Sequence, residues 1–169
     1  MALKPILSFL AIMISCCIRS QDPQPSKKLM DASGKPLDWL QGSWKGMYNN
    51  APFYEAWHKV NDSIMVNFRI EIKGPDTAVK ENGALLLTSN FRGYRSKSAT
   101  WMLVSLSDER IALGNDTLKY ANRIIWSHSQ NDHWLTEIHN PAGTINYDME
   151  KVPWLDPVVN RFILNARKQ

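Results

Sequence analysis

The run of residues 63–73 constrains the fold of this chain more than any other stretch. Ile64, Val66, Phe68, Ile70 and Ile72 alternate there with Met65, Asn67, Arg69, Glu71 and Lys73. Successive side chains of a strand point to opposite faces, so this period of two predicts a strand with one buried and one wet face. On that reading the apolar set faces the core and Arg69 faces water. Asn61-Asp62 in front and Gly74-Pro75-Asp76 behind are turn signals, which make the strand one arm of a hairpin. Residues 52–60 read as a neighbouring strand. Phe53, Glu55 and Trp57 lie on one side of it, with Tyr54, Ala56, His58 and Val60 on the other.

Further strands are expected at residues 83–91, 100–106, 110–113, 117–128, 133–139 and 144–152. Gly114-Asn115-Asp116, Gln130-Asn131-Asp132 and Asn140-Pro141-Ala142-Gly143 punctuate them. Short strands at hairpin spacing, with no helical pattern between them, predict an all-β antiparallel meander. Closing about eight to ten strands into a barrel removes the unpaired edges that an open sheet leaves. A two-sheet sandwich is the nearest competing architecture.

Two segments frame the meander. Trp39-Leu40-Gln41-Gly42-Ser43-Trp44-Lys45-Gly46 opens it. Gly42 lets the chain turn tightly into the first strand. Trp44 supplies a flat plug for one end, with an indole N–H that needs a backbone carbonyl. At the tail the period changes. Asp156 suits a helix N-cap and Pro157 the first helical position. Leu155, Val158, Val159, Phe162, Ile163 and Ala166 then follow one helical stripe. A helix over residues 156–167 is expected, packed on the barrel wall or across an open end.

With 169 residues the chain has room for one domain, placed at residues 38–169. The first twenty residues read as an export signal, with Lys4 as the basic start and residues 5–15 as a short apolar core. That core is shorter than the ~20 residues a bilayer span needs. Met13-Ile14-Ser15-Cys16 resembles a lipobox, which makes Cys16 the expected lipidation site; cleavage after Ser20 is the competing reading. Residues 21–37, rich in Pro, Ser and Lys, read as a flexible tether. These features place the protein outside the cytoplasm, in a bacterial cell envelope, touching the membrane only through the N-terminal lipid. Without Lys4 and Arg19 the chain carries only two more basic than acidic residues, with no basic helix face. Nucleic acid is therefore not an expected partner.

The W-L-x-G-x-W start at residues 39–44, the Tyr54-Glu55-Ala56-Trp57 segment and the strand carrying Arg69 together resemble the uncharacterised bacterial domain family DUF6265. Gly42-x-Trp44-x-Gly46 is also similar to the start of lipocalin-like and nitrobindin-like barrels. The resemblance spans residues 38–152 and implies a lipocalin-like barrel. The family's F-x-N-P-x-H-D-F-P string is not present: residues 118–128 lack its Asn-Pro and His-Asp pairs. No site of that string is carried over.

Candidate chemistry is sparse. Four histidines, His58, His128, His133 and His139, invite a metal reading. Zinc needs ligands converging on one point. His133 and His139 share strand parity yet lie about 20 Å apart along extended chain. No metal and no cofactor is expected; the nitrobindin resemblance would point to His128 or His139 as a haem ligand. Glu55 and Arg69, on adjacent strands, would form a buried ion pair if both faced inward. No nucleophile elbow, phosphate loop or H-E-x-x-H string occurs, so no catalytic residue is assigned and an enzyme is not expected. Seven tryptophans point instead to an aromatic cavity for a small apolar or ring-bearing ligand. Trp44, Tyr54, Trp57, Phe68 and Trp126 are expected to line it. The alternative is an envelope interaction protein whose barrel is filled.

Overall fold

A computed structural model describes residues 37–129 and 132–168. The expected signal, Cys16 and almost all of the tether lie outside the described residues. Leu37 does not belong to a tether: it is buried and packs into the core.

Ten antiparallel strands form a closed barrel, each paired with its sequence neighbours and β1 with β10. They are β1 (Gly42–Tyr48), β2 (Ala51–Asn61), β3 (Ile64–Lys73), β4 (Asp76–Leu87), β5 (Arg92–Ser96), β6 (Thr100–Leu106), β7 (Arg110–Gly114), β8 (Arg123–His128), β9 (His133–Asn140) and β10 (Gly143–Lys151). One helix, α1 (Asp156–Ala166), follows a short 3-10 turn at Pro153–Leu155.

Three strand boundaries differ from the sequence reading, each for a local reason. β4 begins at Asp76 rather than near Gly83, because its first half is polar and pairs only with β3. Arg92–Ser96 is a strand of its own, although its two arginines and a glycine hide any alternation. Residues 117–122 were expected to begin a strand but continue the turn at Asn115-Asp116 as a loop, and the strand starts only at Arg123. There Asn115 closes the turn on Asn122 and donates through Nδ2 to the Thr100 carbonyl.

Because the strands alternate in direction, the two ends of the barrel differ. At one end a 3-10 turn, Asp38–Leu40, folds Leu37, Trp39 and Leu40 over the bore. Trp44 lies just inside, its indole N–H donating to the Leu40 carbonyl at 2.9 Å. Trp39 stacks on His128 at this end. Edge-to-face contacts then climb from Trp134 to Trp44 and Trp126, and from Trp126 to Trp57 and Tyr94. This half of the barrel is filled with rings. At the opposite end the 115–122 loop covers one side, held by a Trp101 indole bond to the Ala121 carbonyl. The side walled by β1, β2, β3 and β10 is open.

The alternation of β3 is real, but its polarity is the reverse of the sequence expectation. Met65 and Asn67 face the bore, whereas Val66, Phe68 and Ile70 face outward. That outer face is not wet. Leu155, Val159, Phe162 and Ile163 cover it, with Phe68 and Phe162 rings 5.9 Å apart edge to face. Both faces of the strand are therefore packed, one by the barrel and one by the helix. Covering an apolar side chain of this size contributes roughly 1.5–3 kcal/mol. α1 thus seals a strand face that would otherwise be an exposed patch.

Candidate functional site

Glu55 stands on β2, directly opposite Trp44 of β1 and Arg69 of β3. The parity of β2 aims Phe53, Glu55 and Trp57 into the bore. Trp57 Nε1 donates to Glu55 Oε1 at 3.1 Å, along the same strand. From β3, Asn67 also hydrogen-bonds the carboxyl, and its Nδ2 reaches the Ala56 carbonyl at 3.5 Å.

A kink in β4 completes the cluster. Between the pairs Asn67–Gly83 and Phe68–Glu81 the register slips, leaving Asn82 as an extra residue. Such a bulge re-aims a side chain. Asn82 Nδ2 donates to Asn67 Oδ1 at 2.8 Å and to the Tyr94 hydroxyl at 3.4 Å, and that hydroxyl in turn donates to Asn67 Oδ1. The adjacent Gly83 makes this possible. A Cβ there would lie 2.6 Å from both the Tyr94 hydroxyl and the Arg95 carbonyl.

These groups bound a small chamber of about 160 Å³, walled by Phe53, Trp57, Trp126, Ile138 and Tyr147. It shares Phe53 and Tyr147 with a wider mouth of about 890 Å³, bounded also by Tyr48 and the Arg69–Glu71–Lys73 side of β3. Glu55 and Asn82 border both spaces. Gly46 keeps the wall open for Phe53: a Cβ at that position would strike the Phe53 ring and the Met149 sulfur.

Burial in this ring-lined chamber pushes the Glu55 carboxyl up to about 7, against the pull of its bonds from Trp57 and Asn67. Tyr94 is raised as well, by burial first and by the Glu55 charge second. Arg69 does not neutralise Glu55. The buried pair that two inward-facing side chains would have made is not formed: Arg69 Nε lies 3.7 Å from Glu71 Oε1, with most of its side chain in solvent at the mouth, as its expected exposure to water requires. Glu71 is shared with Lys80 at 3.4 Å and Lys73 at 3.9 Å.

Of the five residues expected to line a cavity, Trp57 and Trp126 do so. Trp44 lies deeper, as part of the filled end. Tyr54 faces outward, borders the outer edge of the mouth and packs on Trp154. Phe68 does not line the chamber: it lies on the outer face under α1, because the apolar face of β3 is the outer one. The histidines proposed for haem also stand elsewhere. His128 stacks on Trp39 at the sealed end, and His139 bonds the Thr144 hydroxyl. Among the described residues no group of three or more His, Cys, Asp or Glu could hold a metal ion.

Sequence reasoning missed Asn67, Asn82 and Tyr94. An asparagine in the middle of a strand is a poor strand former, and Asn-Gly inside a strand run marks a bulge; both signals were present. In comparisons with protein-family models, curated proteins and solved structures, none matches the chain.

Proposed function

We propose that this chain is an exported, lipid-anchored barrel that binds a small ring-bearing ligand in the half-open bore. The observation that carries this reading is the chamber itself: a ring-walled space with a carboxyl in its wall, sharing that carboxyl with the open mouth. Small-molecule sites are concave, mainly apolar, and carry a few fixed polar groups, which is the character of this space. The reading is of binding rather than turnover, since the amides and hydroxyl around Glu55 are spent on one another. Membership of the DUF6265 family belongs to the same proposal. Its support is that Trp44, Glu55 and Arg69 stand side by side across β1, β2 and β3.

Native mass spectrometry of protein purified from its own host tests the binding claim. A bound small molecule that is lost from Trp57→Ala protein is expected. Uniformly ligand-free protein would instead favour the second reading, an envelope interaction protein, which draws on the ring-packed lower half of the bore. The anchor has a separate test: palmitate labelling in the host should disappear in Cys16→Ser protein. Labelling that persists would overturn it.

A further inference from the structure

Accepting the bore as a ligand site, we propose that it selects organic anions: ring compounds with a hydrogen-bond donor at the inner end and a negative charge at the outer end. The donor goes to Glu55, and the anion to the Arg69, Lys73 and Lys80 group at the mouth.

The inner half of the argument is a count of donors. Trp57 Nε1 is committed to Glu55, and Asn67 Nδ2 to the same carboxyl and to the Ala56 carbonyl. Asn82 Nδ2 is committed to Asn67 and to Tyr94, and the Tyr94 hydroxyl to Asn67. Every side-chain donor of the cluster is in use. What remains is acceptor capacity on Glu55 in its ionised form, the one populated above about pH 7, because a carboxylate has about four lone-pair sites. A ligand group that bonds the ionised Glu55 must therefore donate. An acceptor such as a ketone or ether would face another acceptor and lose its own water.

The outer half is a count of charge. Arg69, Lys73 and Lys80 converge on the single carboxylate of Glu71, so two positive charges are left over. Glu71 is the half-buried member; Arg69 and Lys73 line the mouth with it, Lys80 reaches it from β4, and all three cations are exposed. An incoming carboxylate, sulfonate or phosphate meets cations that can turn to it without leaving Glu71 bare. Between the two ends the walls are aromatic, with Phe53 and Tyr147 edge to face at 5.2 Å. The inner chamber of about 160 Å³ matches one six-membered ring, since an apolar cavity of ~150 Å³ accepts benzene.

Four probes of matched size test this on the full chain by calorimetry and tryptophan quenching, at a pH about one unit above the Glu55 value so that its carboxylate is ionised. They are para-hydroxyphenylpropionate (donor and anion), phenylpropionate (anion only), para-ethylphenol (donor only) and tyramine (donor and cation). The first should bind about tenfold more tightly than each of the others, one charge-assisted hydrogen bond being worth that much. Glu55→Gln should abolish its advantage over phenylpropionate. The double variant Arg69→Gln, Lys73→Gln should abolish its advantage over para-ethylphenol and leave the hydroxyl preference intact. If phenylpropionate or tyramine binds as well as para-hydroxyphenylpropionate to the wild-type chain, the proposal is overturned. Neutral N-phenylnaphthylamine separates the two levels of failure. Saturable binding of it without any preference among the four probes removes the anion proposal and keeps the ligand site. If neither it nor any of the four binds, both fall.

Discussion

Glu55 is held where its ionised form is at a disadvantage, and that has a measurable sign. Its ordinary value near 4.5 rises to about 7 on folding, so the folded chain holds this proton more tightly than the unfolded one. Stability is therefore greatest below the ordinary carboxylate range, falls as pH rises toward 7, and is flat above it. The full effect would be on the order of 3 kcal/mol, reduced by whatever water reaches the carboxyl through the mouth. The groups facing it are Tyr94 from β5, Arg69 and Glu71 from β3, and Tyr147 from β10. In thermal melts across this window the wild-type Tm should fall with pH, and Glu55→Gln should remove most of the slope; parallel slopes would refute the assignment. Gly83 makes a second residue-level case. Gly83→Ala places a methyl against the Tyr94 hydroxyl and a backbone carbonyl, so urea denaturation should show a loss of about 2 kcal/mol.

Among the elements, β3 shows what alternation can and cannot tell. The period of two gave the strand, its length to within a residue, and the two sets of side chains. It could not say which set faces the bore, because parity is symmetric until something closes over one side. Here α1 closes over the apolar set, and the barrel takes the set holding Met65, Asn67 and Arg69. The helix stripe was legible, but its landing place on Phe68 and Ile70 lies in long-range packing. The same limit explains the candidate site. Glu55, Trp57 and Trp126 were readable as large or charged residues on strands, whereas Asn82 enters only through a bulge in β4. Phe68 and Glu55 should accordingly separate in experiment. Phe68→Ala should lower stability by about 3 kcal/mol and leave probe binding unchanged. If it weakened binding as much as Glu55→Gln, Phe68 would belong to the site after all.

Taken whole, the molecule is a barrel solid at one end and hollow at the other, and its tryptophans report the difference. Trp44, Trp57, Trp101, Trp126 and Trp134 are buried, Trp39 is partly covered, and Trp154 is 60% exposed on the outer wall. Acrylamide should therefore quench a small red-shifted fraction of the emission readily and the rest poorly. Trp154→Phe should remove most of the quenchable fraction. Quenching unchanged in that variant would mean that the bore admits the quencher as far as its aromatic stack.

The short turn at Asp38–Leu40 has a consequence for orientation. The turn closes the end of the barrel that lies away from the mouth, so the bore is approached from one side. A surface that grips the protein at that closed end will hold it like an upright vessel, rim outward. Immobilisation chemistry placed there leaves access to the rim from solution unobstructed.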